Sequence, residues 1–317
     1  MSTPSEFAAA HAAPPSVNPR IAVPLALLAL YVVWGSTYLA IRYALESWPP
    51  FMLAALRFLF AGGLMYAWLR LRGVAPPTPR QWRNAAVTGA LLLLLGNGLV
   101  CYAEQSVPSG IAAVAIASMP LFAGLFEGIY GHWPNRREAL GLAVGFAGVV
   151  VLNLGNGLSG ARIGALALIA AAAAWAFGSA WSKRQDMPKG PMNTAAQMLC
   201  GGAALVVTAF GAGERVPPHP TLNATLAIAY LAVFGSIIAF SAYLYLLKTV
   251  RPSVATSYAY VNPPVAVLFG VLLAGEYVGA LDLAGMAIIL VGVGIVVLTR
   301  GKARTPPGTA RPIPRPG

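Results

Sequence analysis

Residues 257–270 read "SYAYVNPPVAVLFG" and sit inside one of the most apolar regions of the chain. A segment that merely crosses a bilayer should form an unbroken helix, because lipid offers no partner to an exposed peptide group. This one places Tyr258, Tyr260, Asn262, Pro263 and Pro264 near its middle. A proline has no N–H to donate and crowds the carbonyl four residues earlier. The carbonyls of Ala259 and Tyr260 therefore lose their helical partners. Such a segment is expected to face protein, water or cargo rather than lipid.

The rest of the chain is equally unlike a soluble domain. It has 317 residues, 58% apolar and 9% charged, where soluble domains carry about 25% charge. Apolar runs of membrane-crossing length recur throughout, at 21–45, 50–70, 84–103, 109–131, 137–153, 162–182, 193–212, 222–246, 253–275 and 281–299. A helix needs about 20 such residues to cross the hydrocarbon. The expected fold is an all-α integral membrane protein with ten transmembrane helices.

The net charge of +12 would suggest nucleic acid in a soluble protein, but its placement says otherwise. With the amino terminus on the cytoplasmic side, 17 Lys and Arg residues fall on inside segments and two, Arg162 and Arg215, on outside loops. That asymmetry predicts both termini in the cytoplasm and excludes nucleic acid as a partner. Residues 1–20 and 300–317 are expected to be disordered cytoplasmic tails, the second basic and proline-rich. The first apolar run is too long for a signal-peptide core and is expected to be retained. Cys101 and Cys200 lie in apolar runs, and His11, His132 and His219 in tails or loops, so no metal site or disulfide is implied.

Sliding the chain on itself by 144 residues aligns Pro120 with Pro264, Gly131 with Gly275, Gly141 with Gly285 and Gly148 with Gly292. A shift of 143 aligns Gly35-Ser36 with Gly178-Ser179. Residues 21–153 and 162–299 thus read as two copies of a five-helix unit. Because five is odd, the second copy must enter from the opposite face and be inverted. Helix breaks at corresponding depths, Pro120 in one copy and Pro263 with Pro264 in the other, point to a central binding site. Polar and aromatic residues at helical spacing supply its expected lining: Trp34, Ser36 and Tyr38; Asn97; Trp175 and Ser179; Tyr243; and Ser257, Tyr260 and Asn262, with Tyr258 beside them. Arg57, within the second run, is either a structural anchor or an electrostatic feature of that site. Glu127 is expected to snorkel or pair at the inner interface, and Glu104 and Arg42 to be interfacial.

No Walker lysine, G-x-S-x-G or H-E-x-x-H motif is present, and the apolar runs hold no histidine. Neither an ATP-driven motor nor a lipid-modifying enzyme is indicated, and no cofactor. A membrane scaffold or sensor associating through glycine-rich helix faces is the remaining alternative to a transporter.

The segments "YVVWGSTYLAIRYALESWPP", "AALRFLFAGG", "EQSVPSGIAAVAIASMPLF", "AAWAFGSAWSKR" and "VFGSIIAFSAYLYLLKTVRPSVATSYAYVNPPVAVLFGVLLAGE" resemble, in order, the EamA-type branch of the drug/metabolite transporter superfamily, and within it the YedA-type bacterial members. The resemblance spans nearly everything between Ile21 and Thr299. It implies two inverted five-helix units, residence in the bacterial inner membrane, a cavity shared by both halves, and export of a small organic solute such as an amino acid, a related metabolite or a drug. Proton-coupled antiport and passive facilitation both stand. Two features depart from the family pattern: the tandem Pro263-Pro264, and Glu127 where a small or apolar residue is expected.

Overall fold

The structure is a computed structural model that describes residues 19–131, 133–155, 161–250 and 258–300. The two tails, His132 and Ser257 lie outside the described residues, as does the side chain of Tyr260.

Among the described residues all regular structure is helical, in ten helices. These are α1 (Arg20–Ala44), α2 (Pro50–Leu71), α3 (Pro79–Ala103), α4 (Ser109–Ile129) and α5 (Arg136–Gly155), followed by α6 (Ala161–Ser182), α7 (Pro191–Gly211), α8 (222–249), α9 (Tyr258–Ala274) and α10 (Ala280–Arg300). Seven of them, α1–α4 and α6–α8, are long and apolar enough to cross a membrane. The other three fall short within the described residues: α5 opens on Arg136, Arg137 and Glu138, and the apolar stretches of α9 and α10 are shorter.

Local sequence explains the helix ends. Proline opens α2, α3 and α7, where its missing N–H is not needed. Thr78 and Gln81 form a reciprocal capping box at the start of α3. Gly131 follows α4 with φ of 88°, and Gly275 follows α9 with φ of 62°. Both stand in the left-handed region that glycine enters without a Cβ clash, and they are the same pair that the 144-residue shift superimposes.

Packing inverts the soluble pattern. Aliphatic side chains such as Leu71, Leu154 and Val207 are exposed on the perimeter, whereas the interior is rich in Ala and Gly. Small interior residues let helix backbones approach closely. α5 and α10 meet this way: a Cβ placed on Gly292 would run into the backbone nitrogen of Gly145. The same device joins α3 to α7 at Gly89 and Gly201, and α2 to α7 at Gly62 and Gly202.

Three helices depart from α geometry, with π-helical segments at Leu30–Trp34 in α1, Ala90–Gly98 in α3 and Leu231–Ile238 in α8. α4 breaks between Ile116 and Met119, with Pro120 in the first turn of its second half. At Pro263-Pro264 the expected break is not found: the described part of α9 continues through both prolines.

Candidate functional site

The irregular segments converge on one place. A cavity of about 160 Å³ lies where α1, α2, α3 and α4 meet α6, α7, α8 and α9. For scale, a cavity of roughly 150 Å³ accepts a benzene-sized molecule. Its wall is mostly apolar and aromatic, with a few polar groups.

The first half contributes Trp34, Tyr38, Arg57, Asn97 and Pro120; the second contributes Trp175, Asn262 and Pro263. Pro120 cannot donate to the carbonyl of Ile116, and Ile116 also lines the cavity. The Trp175 ring seats on Gly96, where a Cβ would lie 2.9 Å from its Cε3 atom. The glycine beside Asn97 thus makes room for the indole.

Hydrogen bonds tie this wall to the π-helical part of α8. The indole Nε1 of Trp34 donates to the carbonyl of Gly235 at 3.0 Å. The Nε of Arg57 donates to Ser236 Oγ at 2.8 Å, and that hydroxyl donates to the Leu231 carbonyl, five residues back, at 3.1 Å. Widened helical turns of this kind recur at functional sites because they release backbone groups from the regular ladder. Arg57 is buried, its guanidinium 4.8 Å from the centre of the Phe58 ring, and it forms no ion pair among the described residues. Its side chain lines the cavity while tied to α8 through Ser236. Asn262 is buried as well, and among the described residues its Oδ1 has no hydrogen-bond partner.

Several residues expected in the lining lie elsewhere. Ser36 turns away to the Val33 carbonyl and the Tyr230 hydroxyl. Ser179 is absent from the wall. Tyr243 stands behind it, in an aromatic cluster with Trp34 at 5.6 Å and Tyr258 at 5.7 Å between ring centres. Pro264 is exposed on the outer face of α9. Asn262 and Pro264 are two residues, about 200°, apart around a helix, so a buried Asn262 sends Pro264 outward. Pro263 takes the inward place instead. Thr194 and Gln197 of α7, which the sequence pattern does not single out, also line the cavity. Neither belongs to an aromatic stripe, so periodicity gave no reason to choose them.

The remaining charges are at the ends of the bundle. Glu127 pairs with Arg184 at 3.2 Å and Lys183 at 3.6 Å, and Arg184 covers the Tyr130 ring. Arg42 reaches Glu276 at 3.5 Å. Glu104, expected at the interface, is instead 1% exposed.

Membrane-length helices from both halves around one central chamber define an all-helical membrane protein. The sequence matches the EamA-like transporter family twice, over residues 21–154 and 162–298, and the chain belongs to that family. It is 47% identical to the Escherichia coli K12 protein named "Uncharacterized inner membrane transporter YedA", over 92% of this chain and 94% of that one. It is 27% identical to a Salmonella typhimurium protein named "Probable amino-acid metabolite efflux pump", over 86% and 93%. A solved crystal structure shares the fold with a TM-score of 0.60 at 22% identity, covering 88% of this chain and 98% of its own.

Proposed function

We propose that this chain is an inner-membrane secondary transporter that exports small organic metabolites, amino acids or related compounds by alternating access. All ten helices would cross the membrane as two inverted five-helix repeats, with both termini cytoplasmic. The observation that carries the reading is the cavity itself, to which both halves contribute and in which Arg57 and Asn262 keep polar atoms buried against an aromatic wall. A cargo carboxylate would meet Arg57, a polar end would meet Asn262, and an apolar body would pack on Trp34 and Trp175.

Two further facts support the inverted arrangement. The π-helical segments of α3 and α8 occupy corresponding helices of the two halves, and the left-handed glycines Gly131 and Gly275 end corresponding helices. The 17-to-2 distribution of basic residues supports the orientation. The efflux name of the Salmonella relative supports cargo of amino-acid size. The scaffold alternative needs free glycine faces, but Gly145, Gly148, Gly201, Gly202 and Gly292 are filled by contacts within the chain.

The test is uptake of labelled amino acids by proteoliposomes holding the purified chain. Wild type should accumulate at least one of them, and Trp175→Ala and Asn262→Ala should reduce that uptake by about tenfold, the equivalent of roughly 1.4 kcal/mol of binding. Uptake that both variants leave intact would remove the cavity from the mechanism.

A further inference from the structure

Glu104 closes α3 in the short connector to α4, at the end of the bundle that the proposed orientation would place outside. Its side chain is 1% exposed, and among the described residues neither Oε1 nor Oε2 has a hydrogen-bond partner. The neighbouring donors are already engaged. Glu276, in the connector after α9, accepts the backbone N–H groups of Ser109 at 2.9 Å and Gly110 at 3.2 Å. It thereby caps the start of α4 from the other half of the chain. The same carboxylate holds Arg42 at 3.5 Å. The charged groups that act on Glu104 are Glu276 from the α9–α10 connector and Arg42 from α1, and Tyr38 from α1 and Cys101 on its own helix are the titratable groups that feel it in turn. Arg42, the cation among them, is turned to Glu276.

An ionised carboxylate in that position would be desolvated, without a donor among the described residues, and beside the second carboxylate of Glu276. Each of these disfavours the anion. A neutral acid escapes all three.

We propose that Glu104 is a proton-binding site of this protein, neutral while Glu276 caps α4, and that it exchanges its proton with outside water when that cap releases. This rests on the transport reading above for its role, though not for its existence. Release of Glu276 would free Arg42 and the two α4 amides and admit water. The O–H bond of Glu104 would then break, its electron pair staying on the carboxylate and its proton passing to water. Proton occupancy would thereby be tied to opening of this end, and the choice between antiport and facilitation would fall to antiport.

Infrared difference spectroscopy on the full chain in nanodiscs tests the site without any cargo. Wild type should show the carbonyl stretch of a protonated carboxyl that persists at neutral pH. Glu104→Gln should lose it, and Glu104→Asp should retain it with a shifted titration. No such band in wild type, or a band that survives in Glu104→Gln, overturns the proposal. So does a band that titrates with sodium rather than with pH, which would mark a metal-cation site.

Proton flux into dye-loaded proteoliposomes, started with an amino-acid mixture, tests the coupling. Glu104→Gln should cut flux by about tenfold or more while cargo-for-cargo exchange continues. Undiminished flux overturns the coupling. Wild-type vesicles that move no cargo would count against the transport reading alone, and the infrared result would still decide the site.

Discussion

The indole nitrogen of Trp34 donates to the backbone carbonyl of Gly235, 201 residues away, at 3.0 Å. The bond joins a π-helical segment of α1 to a π-helical segment of α8 and closes one side of the cavity. It places the end of a side chain that also meets the Tyr258 ring at 4.7 Å. Trp34→Phe would keep much of the ring contact and remove the donor. A buried acceptor left without its donor costs about 1–3 kcal/mol. The purified variant should show a lower Tm in detergent and weaker uptake. An unchanged Tm would mean that the bond contributes nothing the surroundings cannot replace.

The contact between α5 and α10 depends on Gly292, which has no room for a methyl group, whereas Gly294 on the same helix has open space around it. Gly292→Ala should destabilise the protein by about 1–3 kcal/mol through overpacking. Gly294→Ala should be neutral or slightly stabilising, since alanine favours a helix interior. Thermal unfolding of the pair separates tight packing from simple helix propensity. Equal Tm values would contradict the close approach.

The tandem prolines should behave differently. Pro263 is buried against the cavity and Pro264 is exposed. Pro264→Ala should leave uptake within about twofold, as expected of a surface change. Pro263→Ala would alter the wall and offer an N–H to the Ala259 carbonyl. It should lower uptake several-fold while raising stability by about 1 kcal/mol. Matching effects at both positions would mean that α9 presents another face to the cavity.

Glu104 lies just beyond the Pro79–Ala103 span. Its burial, and then the Glu276 carboxylate, raise its pKa well above the ordinary glutamate value, against the opposing charge of Arg42. An acid with a raised folded-state pKa holds more protons folded than unfolded. Its contribution is fully present below the unfolded value of about 4.3 and is lost as pH rises through the folded value. Wild type should therefore unfold at progressively lower temperature as pH is raised above that range. Glu104→Gln, which cannot ionise, should lose that part of the slope. A slope identical in both proteins would place the responsible group elsewhere.

The helical class, the family and much of the cavity were legible in the sequence. Apolar runs of the right length leave few alternatives in a bilayer, and five motifs in order identify the family. Trp34, Tyr38, Arg57, Asn97, Trp175 and Asn262 were found because a polar or aromatic residue amid aliphatic ones is itself a signal. Ser36 and Ser179 carry the same signal for a different reason: a serine hydroxyl can bond its own helix or a neighbour, as Ser36 does with Val33 and Tyr230. Composition cannot tell the two uses apart. Gln197 and Thr194 gave the opposite error, because α7 approaches the cavity only at its first turns.

What the chain determined alone is the part set by covalent chemistry and by the cost of peptide groups in lipid: helices, their starts at proline, their ends at Gly131 and Gly275, and carbonyls stranded four residues before each proline. Packing decided the rest. It chose Pro263 over Pro264 for the cavity, turned Arg57 to Ser236, and left the buried Glu104 without a donor among the described residues by giving Arg42 and the α4 amides to Glu276. Those outcomes depend on which face of a helix meets which neighbour. Residues separated by half the chain settle that, and no local pattern encodes it.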